Sequence, residues 1–402
     1  MTTHPSRVRV SGPLAVHAVD FGEELTRRGY PPERAARHVQ LLAHLSRWLQ
    51  AEGLTVGQLT DQRVAEFLTA RRADGYAEVP TARWMITLLG YLPALAVAPT
   101  MAPAADTPAD AAVEEYRHWL IHERGLAAAT VRGYVDAARS LLSHLDRPEG
   151  LDLSGLTAGE VTAYVVRECG RRHVGSAQAL VTALRSLLRF LSLQGYTAHP
   201  LAGAVPAASA MGGGFLPRGL APDVVGALLA GCDSSTATGK RDYAILTVLS
   251  RLGLRAGEVA GMELDDVDWH HGELAVRGKG ARRDRLPLPT DVGEAMVAYL
   301  ADGRPRFECR AVFLRVHAPI TAMTASNVTE IVRHACRRVG VPTVGAHRLR
   351  HSAATGMLQG GASLAEIGQV LRHSRAATTA IYAKVDRSAL RTLAQPWPGA
   401  SA

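Results

Sequence analysis

Apolar side chains recur every three or four positions through residues 1–97, which is the spacing of amphipathic helices. The longest stripe opens with Pro31-Pro32-Glu33, where proline suits the first turn of a helix, and runs to Glu52. Shorter stripes predict a second helix after Thr60 and a third from about Thr81. We therefore predict a helical module over 1–97.

Helical periodicity resumes over residues 113–203, after a segment at 98–112 that is rich in Ala, Pro, Thr and Asp and shows no periodicity. We interpret 98–112 as an interdomain linker and 113–203 as a second helical module. The two modules share a pattern that indicates two copies of one four-helix unit, although any two amphipathic bundles look broadly alike. Leu59-Thr60-x-x-x-Val64-x-x-Phe67-Leu68 matches Leu156-Thr157-x-x-x-Val161-x-x-Tyr164-Val165, and Gly29 falls opposite Gly125.

From residue 222 onward the pattern becomes that of a mixed domain. Helical stripes are followed by three short segments separated by turn residues, at 267–269, 274–276 and 286–288, which predict a small antiparallel sheet. Residues 204–221, with three consecutive glycines at their centre, form a second predicted linker. The expected fold class is mostly α with a small antiparallel β-sheet: two helical N-terminal modules followed by a mixed α+β domain over 222–402.

The chain is basic, with 45 Lys and Arg against 37 Asp and Glu and a formal net charge of +8. Such a surplus suits a polyanionic partner, but it also fits an ordinary solvated positive face. The four cysteines lack CxxC or zinc-site spacing, which favours reduced thiols and a cytoplasmic setting. The sequence shows no run of 18 apolar residues and no signal-peptide pattern. We therefore expect a soluble, cytoplasmic protein with no membrane partner.

Candidate chemistry is concentrated near the C-terminus. His347 and Arg350 stand three residues apart and share one face of a predicted helix, so both can reach the same small anion. A second predicted helix, opened by a capping box at Ser363, ends before His373, and Tyr382 follows nine residues later. Histidines also occur in metal sites, but no HExxH or Cys/His cluster accompanies these. A phosphate fits the set best, and we expect neither metal nor cofactor.

Two further blocks lie upstream, and each alone would indicate an ordinary turn. Gly253-Leu254-Arg255 precedes a predicted helix, with Glu258 placed one turn later to orient the arginine. Lys279 lies at the tip of a predicted Gly-Lys-Gly hairpin. Over roughly residues 111–392 the ordered set closely resembles the tyrosine recombinase (phage integrase) family: Arg255, Lys279, His347-x-x-Arg350, His373 and Tyr382.

The resemblance implies phosphoryl transfer without a metal, and it assigns a role to each residue of the set. One departure is Arg372, which stands where the family usually has glycine and adds charge beside the site. The implied roles are phosphate binding for Arg255 and Arg350, support of Arg255 for Glu258, general base for His347, nucleophile for Tyr382, general acid for Lys279 and a hydrogen bond to the phosphate for His373.

The resemblance also implies that residues 113–203 are a core-binding domain forming half of a clamp around double-stranded DNA. The implied assembly is a homotetramer on two DNA sites, with or without sister recombinases. The C-terminal tail then either docks into a neighbouring protomer or packs on its own protomer. Candidate DNA contacts are Arg132, Arg139, Arg171, Arg172, His173, Arg185 and Arg189 in this module and Arg282, Arg283 and Arg285 along the hairpin.

The predicted function is site-specific recombination or integration, in which DNA strands are broken and rejoined through a 3′-phosphotyrosine for a mobile genetic element. A type IB topoisomerase shares this chemistry, and a DNA-binding protein without catalysis is an alternative of a different class. A metal-dependent hydrolase is the weakest alternative. For residues 1–97, accessory DNA binding, partner binding and a longer clamp all remain open.

Overall fold

The structure is a computed structural model that divides into two compact units. One unit comprises Met1–Pro99 together with Phe215–Ala402, and the other comprises Thr100–Gly214. The residues that it describes are 5, 8–73, 75, 82–92, 107–145, 151–172, 174–206, 219–278, 283–372 and 378–379.

The N-terminal part of the first unit is helical, as its hydrophobic pattern predicts. The longest stripe lies on one long helix, and its members Leu42, Leu45 and Leu49 are fully buried. Thr60 caps the next helix, because its hydroxyl accepts the N–H of Arg63 at 3.3 Å. The helices are α1 (Ala18–Arg27), α2 (Pro32–Ala51), α3 (Asp61–Ala73) and α4 (Ala82–Leu89), and 3₁₀ turns lie at Ala15–His17 and Val56–Gln58.

A loop from the C-terminal part of the same unit contacts the turn between α1 and α2. The N–H of Ile320 donates to the carbonyl of Arg28 at 2.8 Å. Gly29 has a φ of +77°, and a Cβ at this position would lie 2.4 Å from Cδ1 of Ile320. The backbone conformation therefore favours glycine at position 29, and any larger residue would also displace the side chain of Ile320.

The second unit is a bundle of helices around an aromatic and aliphatic core. Tyr116 is fully buried and its ring packs 5.2 Å from that of Phe190. Thr157 and Glu160 form a capping box at the start of one helix. The elements are α5 (Pro108–His122), α6 (Ala128–Leu145), α7 (Ala158–Gly170), α8 (Val174–Leu193) and a 3₁₀ turn at Ala202–Ala204.

The structure differs from the predicted linker over 98–112, because residues 108–112 are the first turn of α5. The hydroxyl of Thr107 accepts the N–H of Asp110 at 3.1 Å, and Pro108 occupies the first helical position. Ala112 is buried in the bundle. Thr, Pro, Ala and Asp are typical of linkers, but Thr followed by Pro is also a helix start, and here the second interpretation is the correct one.

The C-terminal part of the first unit combines helices with the predicted three-stranded antiparallel sheet. Its core is built around a helix that is buried on most of its surface and ends at Gly253, whose φ is +59°. The helices are α9 (Pro222–Ala230), α10 (Ala237–Leu252), α11 (Ala256–Ala260), α12 (Thr290–Asp302), α13 (Ala325–Arg338), α14 (His347–Gln359) and α15 (Leu364–Val370).

The sheet has the strand order β1 (Val267–Asp268), β2 (Glu273–Arg277) and β3 (Arg283–Pro287). Leu274 pairs with Leu286, and both side chains are buried against the core. β3 begins three residues before the apolar run at 286–288, because ladder pairing continues to Arg283 opposite Arg277. The fold is therefore mostly helical with a small antiparallel sheet. Among the described helices, none is both long and apolar enough to cross a bilayer.

Candidate active site

The first turn of α14 carries His347 and Arg350, and their side chains share one face of the helix as predicted. His347 is the first residue of the helix and follows Ala346, which is buried. Arg350 lies one turn later and is only 1% exposed, which makes it the largest fully buried side chain among the described residues. A buried guanidinium needs hydrogen-bond acceptors, so its partners determine what it can do.

Arg350 is held by two main-chain carbonyl groups from distant segments. Its Nη1 donates to the carbonyl of Gly253 at 2.5 Å, and its Nη2 donates to the carbonyl of Leu371. The positive φ of Gly253 favours glycine, and a Cβ there would lie 2.6 Å from Cδ2 of Leu371 and displace that side chain. The guanidinium thus joins the end of α10 to the end of α15, and its plane is fixed before any ligand binds.

Arg255 immediately precedes α11, and Glu258 contacts it twice. Oε2 of Glu258 accepts the backbone N–H of Arg255 at 2.8 Å, and Oε1 accepts Nη1 of the same residue at 2.7 Å. The side chain of Arg255 is 46% exposed, whereas that of Glu258 is 6% exposed. A buried carboxylate therefore holds an arginine side chain that stays half exposed.

Arg372 also contacts Glu258, and the sequence did not predict this contact. Its Nη2 donates to Oε2 of Glu258 at 2.6 Å, and its Nη1 donates to the carbonyl of Val370 at 3.2 Å. Its φ is +54°, in the left-handed region. The available signal was the arginine itself, which stands where the resemblance leads one to expect glycine.

His347 and His351 lie one turn apart on α14 with their rings edge to face, the centroids 4.5 Å apart. Burial, reinforced by the positive charges of Arg350 and Arg255, holds the pKa of His347 below its usual value of 6.5. Burial and the neighbouring His347, Arg348 and Arg350 lower the pKa of His351 to about 4. Both imidazoles are therefore neutral near pH 7, and a neutral ring nitrogen can accept a proton.

The structure brings together Arg255, Glu258, His347 and Arg350 from the predicted set. The charges of both arginines act on His347, and Arg350 is bonded to the carbonyl two residues before Arg255. Lys279, Arg282, His373 and Tyr382 lie outside the described residues, as does His173. The paired residues Arg277 and Arg283 flank the hairpin segment that contains Lys279.

The predicted DNA contacts of the second unit differ in their availability. Arg132, Arg139, Arg171 and Arg189 are exposed. Arg172, also exposed, donates to Glu168 at 3.2 Å. Arg185 is partly buried and donates to the carbonyl of Val205 at 2.9 Å, so it has a structural contact of its own.

In the first unit, Arg283 and Arg285 lie on β3 and are exposed, and Arg285 forms an ion pair with Glu273 at 2.9 Å.

Within the described part of the chain, there is no cluster of three or more His, Cys, Asp or Glu side chains that could hold a metal ion.

Comparison with known sequences places two family profiles on this chain. The profile of the phage integrase family matches residues 218–388, and that of the phage integrase N-terminal SAM-like domain matches residues 113–195. The integrase/recombinase y4rA of Sinorhizobium fredii is 39% identical over 394 residues, which cover 96% of this chain and 95% of the relative. The tyrosine recombinase XerD of Listeria monocytogenes is 30% identical over 289 residues, which cover 69% of this chain and 95% of the relative.

Solved structures share the fold. A lambda integrase fragment, crystallised as a dimer bound to a COC′ core site, matches with a TM-score of 0.54 and 16% identity over 72% of this chain and 98% of its own. The XerH recombinase in a post-cleavage complex with palindromic difH matches with a TM-score of 0.54 and 14% identity over 98% of both chains. The Tn1549 transposon integrase, in complex with circular intermediate DNA, matches with a TM-score of 0.52 and 15% identity over 71% of this chain and 99% of its own.

Proposed function

The chain belongs to the phage integrase family of tyrosine recombinases, and on that premise we propose that it exchanges DNA strands at specific sites for a mobile genetic element. The observation that carries the proposal is the convergence of two arginines and a neutral histidine. Arg255, Arg350 and His347 meet where the end of α10 contacts α14, a set suited to an anionic phosphodiester. Relatives that are named integrases and a transposon integrase with the same fold support the mobile-element role.

The proposed reaction is an in-line displacement at phosphorus. The hydroxyl oxygen of Tyr382 forms a bond to phosphorus while the bond from phosphorus to the 5′ oxygen breaks. The phenolic proton passes to His347, and Lys279 gives a proton to the leaving 5′ oxygen. The product is a 3′-phosphotyrosine and a free 5′ hydroxyl. A 5′ hydroxyl from another strand then reverses the step on a new partner, so the reaction needs no ATP.

Charge stabilisation falls to the two arginines. As the phosphorus becomes five-coordinate, negative charge accumulates on its two nonbridging oxygens, and preorganised cationic donors stabilise it. Arg350 is preorganised by its two carbonyl contacts, and Arg255 by its two contacts with Glu258. His373 completes the set by donating to the phosphate. His347 is suited to the base role because its lowered pKa keeps it neutral near pH 7.

The proposed partner is double-stranded DNA, bound by the exposed arginines of both units. The relatives crystallised on DNA support this choice, and a dimer on a core site supports an assembly of several protomers. We propose a homotetramer on two DNA sites, acting with or without sister recombinases in the cytoplasm, where chromosomal DNA and the four free thiols would both be found.

We propose that residues 1–97 and 107–203 are two copies of one module, with residues 222–402 as the catalytic domain. In each copy a glycine with positive φ follows the first helix: Gly29 at +77° and Gly125 at +57°. In each copy a threonine caps the third helix: Thr60 and Thr157. These shared features support duplication more strongly than hydrophobic periodicity does, because amphipathic stripes recur in unrelated bundles.

Covalent trapping tests the proposal. The protein is incubated in EDTA with duplex DNA from the flanks of its own gene, nicked near each candidate break so that the short fragment diffuses away. We expect a covalent adduct with wild-type protein and none with Tyr382→Phe, because phenylalanine has no nucleophilic oxygen. Tight binding without an adduct would favour a DNA-binding protein without catalysis. An adduct accompanied by relaxation of supercoiled DNA by monomers would favour a topoisomerase.

A further inference from the structure

Arg372 occupies a backbone conformation that side chains rarely adopt. Its φ of +54° is the one positive value among the non-glycine residues of the described part of the chain. Glycine is the default residue for this region, because a Cβ approaches the carbonyl there. The arginine is thus kept at a conformational cost, which directs attention to what its side chain does.

The side chain of Arg372 is buried against the carboxylate that holds Arg255. Arg372 is 5% exposed and Glu258 is 6% exposed, with 2.6 Å between Nη2 and Oε2. The same Oε2 also accepts the backbone N–H of Arg255, while Oε1 accepts its guanidinium. With Arg372 in place, the orientation of the carboxylate is fixed on both of its oxygens, and the side chain of Arg255 is fixed with it.

The charges of Glu258, Arg255 and Arg372 also indicate a role for Arg372 in phosphate binding by Arg255. Glu258 and Arg255 alone would form a neutral pair, whose carboxylate would weaken the attraction of Arg255 for a phosphate. Arg372 supplies a second positive charge to this buried carboxylate, so the three groups together carry one net positive charge. Because Glu258 is buried, solvent screens these interactions only weakly.

The residue before Arg372 contacts the other candidate phosphate ligand. The carbonyl of Leu371 accepts Nη2 of Arg350, while the side chain of Arg372 reaches Glu258. Two consecutive residues in one turn therefore support both arginines, Leu371 by direct contact with Arg350 and Arg372 through Glu258. A shift in this turn would move both guanidinium groups relative to one phosphate.

We propose that Arg372 is a positioning residue for the proposed strand-cleavage reaction: it holds Glu258, and through it Arg255, where Arg255 binds the scissile phosphate. The inference rests on the proposed function. It assigns a task to a residue that lies outside the set indicated by the family resemblance, where glycine would serve the backbone better.

The first test compares Arg372→Gly with wild type in single-turnover adduct formation on the nicked flanking DNA. Glycine suits the positive φ, so the variant is expected to fold. We expect the rate to fall by roughly tenfold or more, because displacement of a catalytic group by about 1 Å can cost ~100-fold. Arg372→Lys, which keeps the charge and one donor, is expected to recover part of the rate.

A neutral substrate separates positioning from a general structural effect. In DNA with a methylphosphonate at the scissile position, one nonbridging oxygen is replaced and the phosphate charge is lost, so Arg255 matters less. The defect of Arg372→Gly should shrink on this DNA. The matched control is Arg241→Ala, which removes a buried ion pair with Asp242 (2.7 Å) near the start of α10, far along the helix from Gly253. It is expected to lower Tm without changing the rate ratio between the two substrates.

A double-mutant cycle tests whether Arg372 acts through Glu258. If Arg372 acts through Glu258, Arg372→Gly should cause little further loss in a Glu258→Gln background. If the rate losses of Arg372→Gly and Glu258→Gln multiply in the double variant, the inference is overturned in favour of direct phosphate contact by Arg372. A wild-type rate for Arg372→Gly would overturn it while leaving the proposed function intact. If wild-type protein forms no adduct on either substrate, the proposed function fails and this inference fails with it.

Discussion

The starts of α11 and α14 each present one candidate phosphate-binding arginine, and the two are built in opposite ways. Arg255 is half exposed and is held by a buried carboxylate, whereas Arg350 is 1% exposed and is held by two main-chain carbonyl groups. A sequence motif treats the two arginines as equivalent. The structure shows that Arg255 stays half exposed, whereas Arg350 joins distant parts of the core.

This difference indicates that the two arginines contribute differently to the stability of the fold and to the reaction. The carbonyl partners of Arg350 lie 97 and 21 residues away in the chain, so the contacts hold the ends of α10 and α15 together. The partner of Arg255 lies three residues away, and the contact organises one helix turn. Loss of Arg350 should therefore damage both fold and reaction, and loss of Arg255 should damage mainly the reaction.

The largest expected effect is that of Arg350→Ala. The change leaves the carbonyl groups of Gly253 and Leu371 without their donor and opens a cavity in a buried region. Unpaired buried groups cost about 1–3 kcal/mol each, so we expect a stability loss of about 3 kcal/mol or more and no detectable adduct. Urea denaturation checks the first point. A loss below about 1 kcal/mol would contradict the structural role of Arg350.

Arg255→Ala should separate the two functions. We expect adduct formation to fall by roughly 10²–10³-fold, the scale for removal of one donor to a developing oxyanion. Stability should change by less than about 1 kcal/mol, because Arg255 is half exposed and Glu258 keeps Arg372 as a partner. A denaturation midpoint as low as that of Arg350→Ala would contradict the distinction between the two arginines.

The smallest expected effect is on the titration of His347. Positive charge on Arg255 is one cause of its lowered pKa, so Arg255→Ala should raise that pKa toward 6.5. His351 is the internal control, because its pKa of about 4 arises from burial, His347, Arg348 and Arg350, without Arg255. An NMR titration of the two imidazoles follows both. A downward shift for His347, or an equal shift for both rings, would contradict the placement of Arg255.

The same pKa predicts how the reaction depends on pH. A base must be neutral, and the neutral fraction of His347 decreases only as pH falls through its lowered pKa. We expect the wild-type rate of adduct formation to vary little from about pH 8 down to about 6.5 and to fall at lower pH. A rate that rises as the solution becomes more acidic would exclude His347 as the base.

Local features of the fold were predictable, because short-range rules determine them. Three predictions are confirmed: the capping box of Ser363 and Glu366, the start of α2 at the Pro31-Pro32 pair, and the shared face of His347 and Arg350. The linker interpretation was wrong for residues 108–112, where the same residue types cap a helix. Composition alone does not separate a linker from a helix start.

The supports of the site could not be predicted, because they join residues far apart in the chain. Glu258 and Arg372 are 114 residues apart, and nothing in either local sequence specifies their contact. The carbonyl partners of Arg350 are likewise invisible to a motif, since every residue has a carbonyl group. The roles of Lys279, His373 and Tyr382 stay predictions.

The central claim is that Tyr382 becomes joined to the 3′ side of the break, and mass spectrometry of the trapped adduct tests it most directly. The adduct is formed on DNA labelled at its 5′ end, then digested with nuclease and trypsin. Before digestion we predict that the protein retains the 5′ label, and after digestion we predict a nucleotide on the peptide 376–384, with fragment ions that place the phosphate on Tyr382. A nucleotide on His347 or on a threonine of that peptide, or attachment to the 5′ side of the break, would contradict the account.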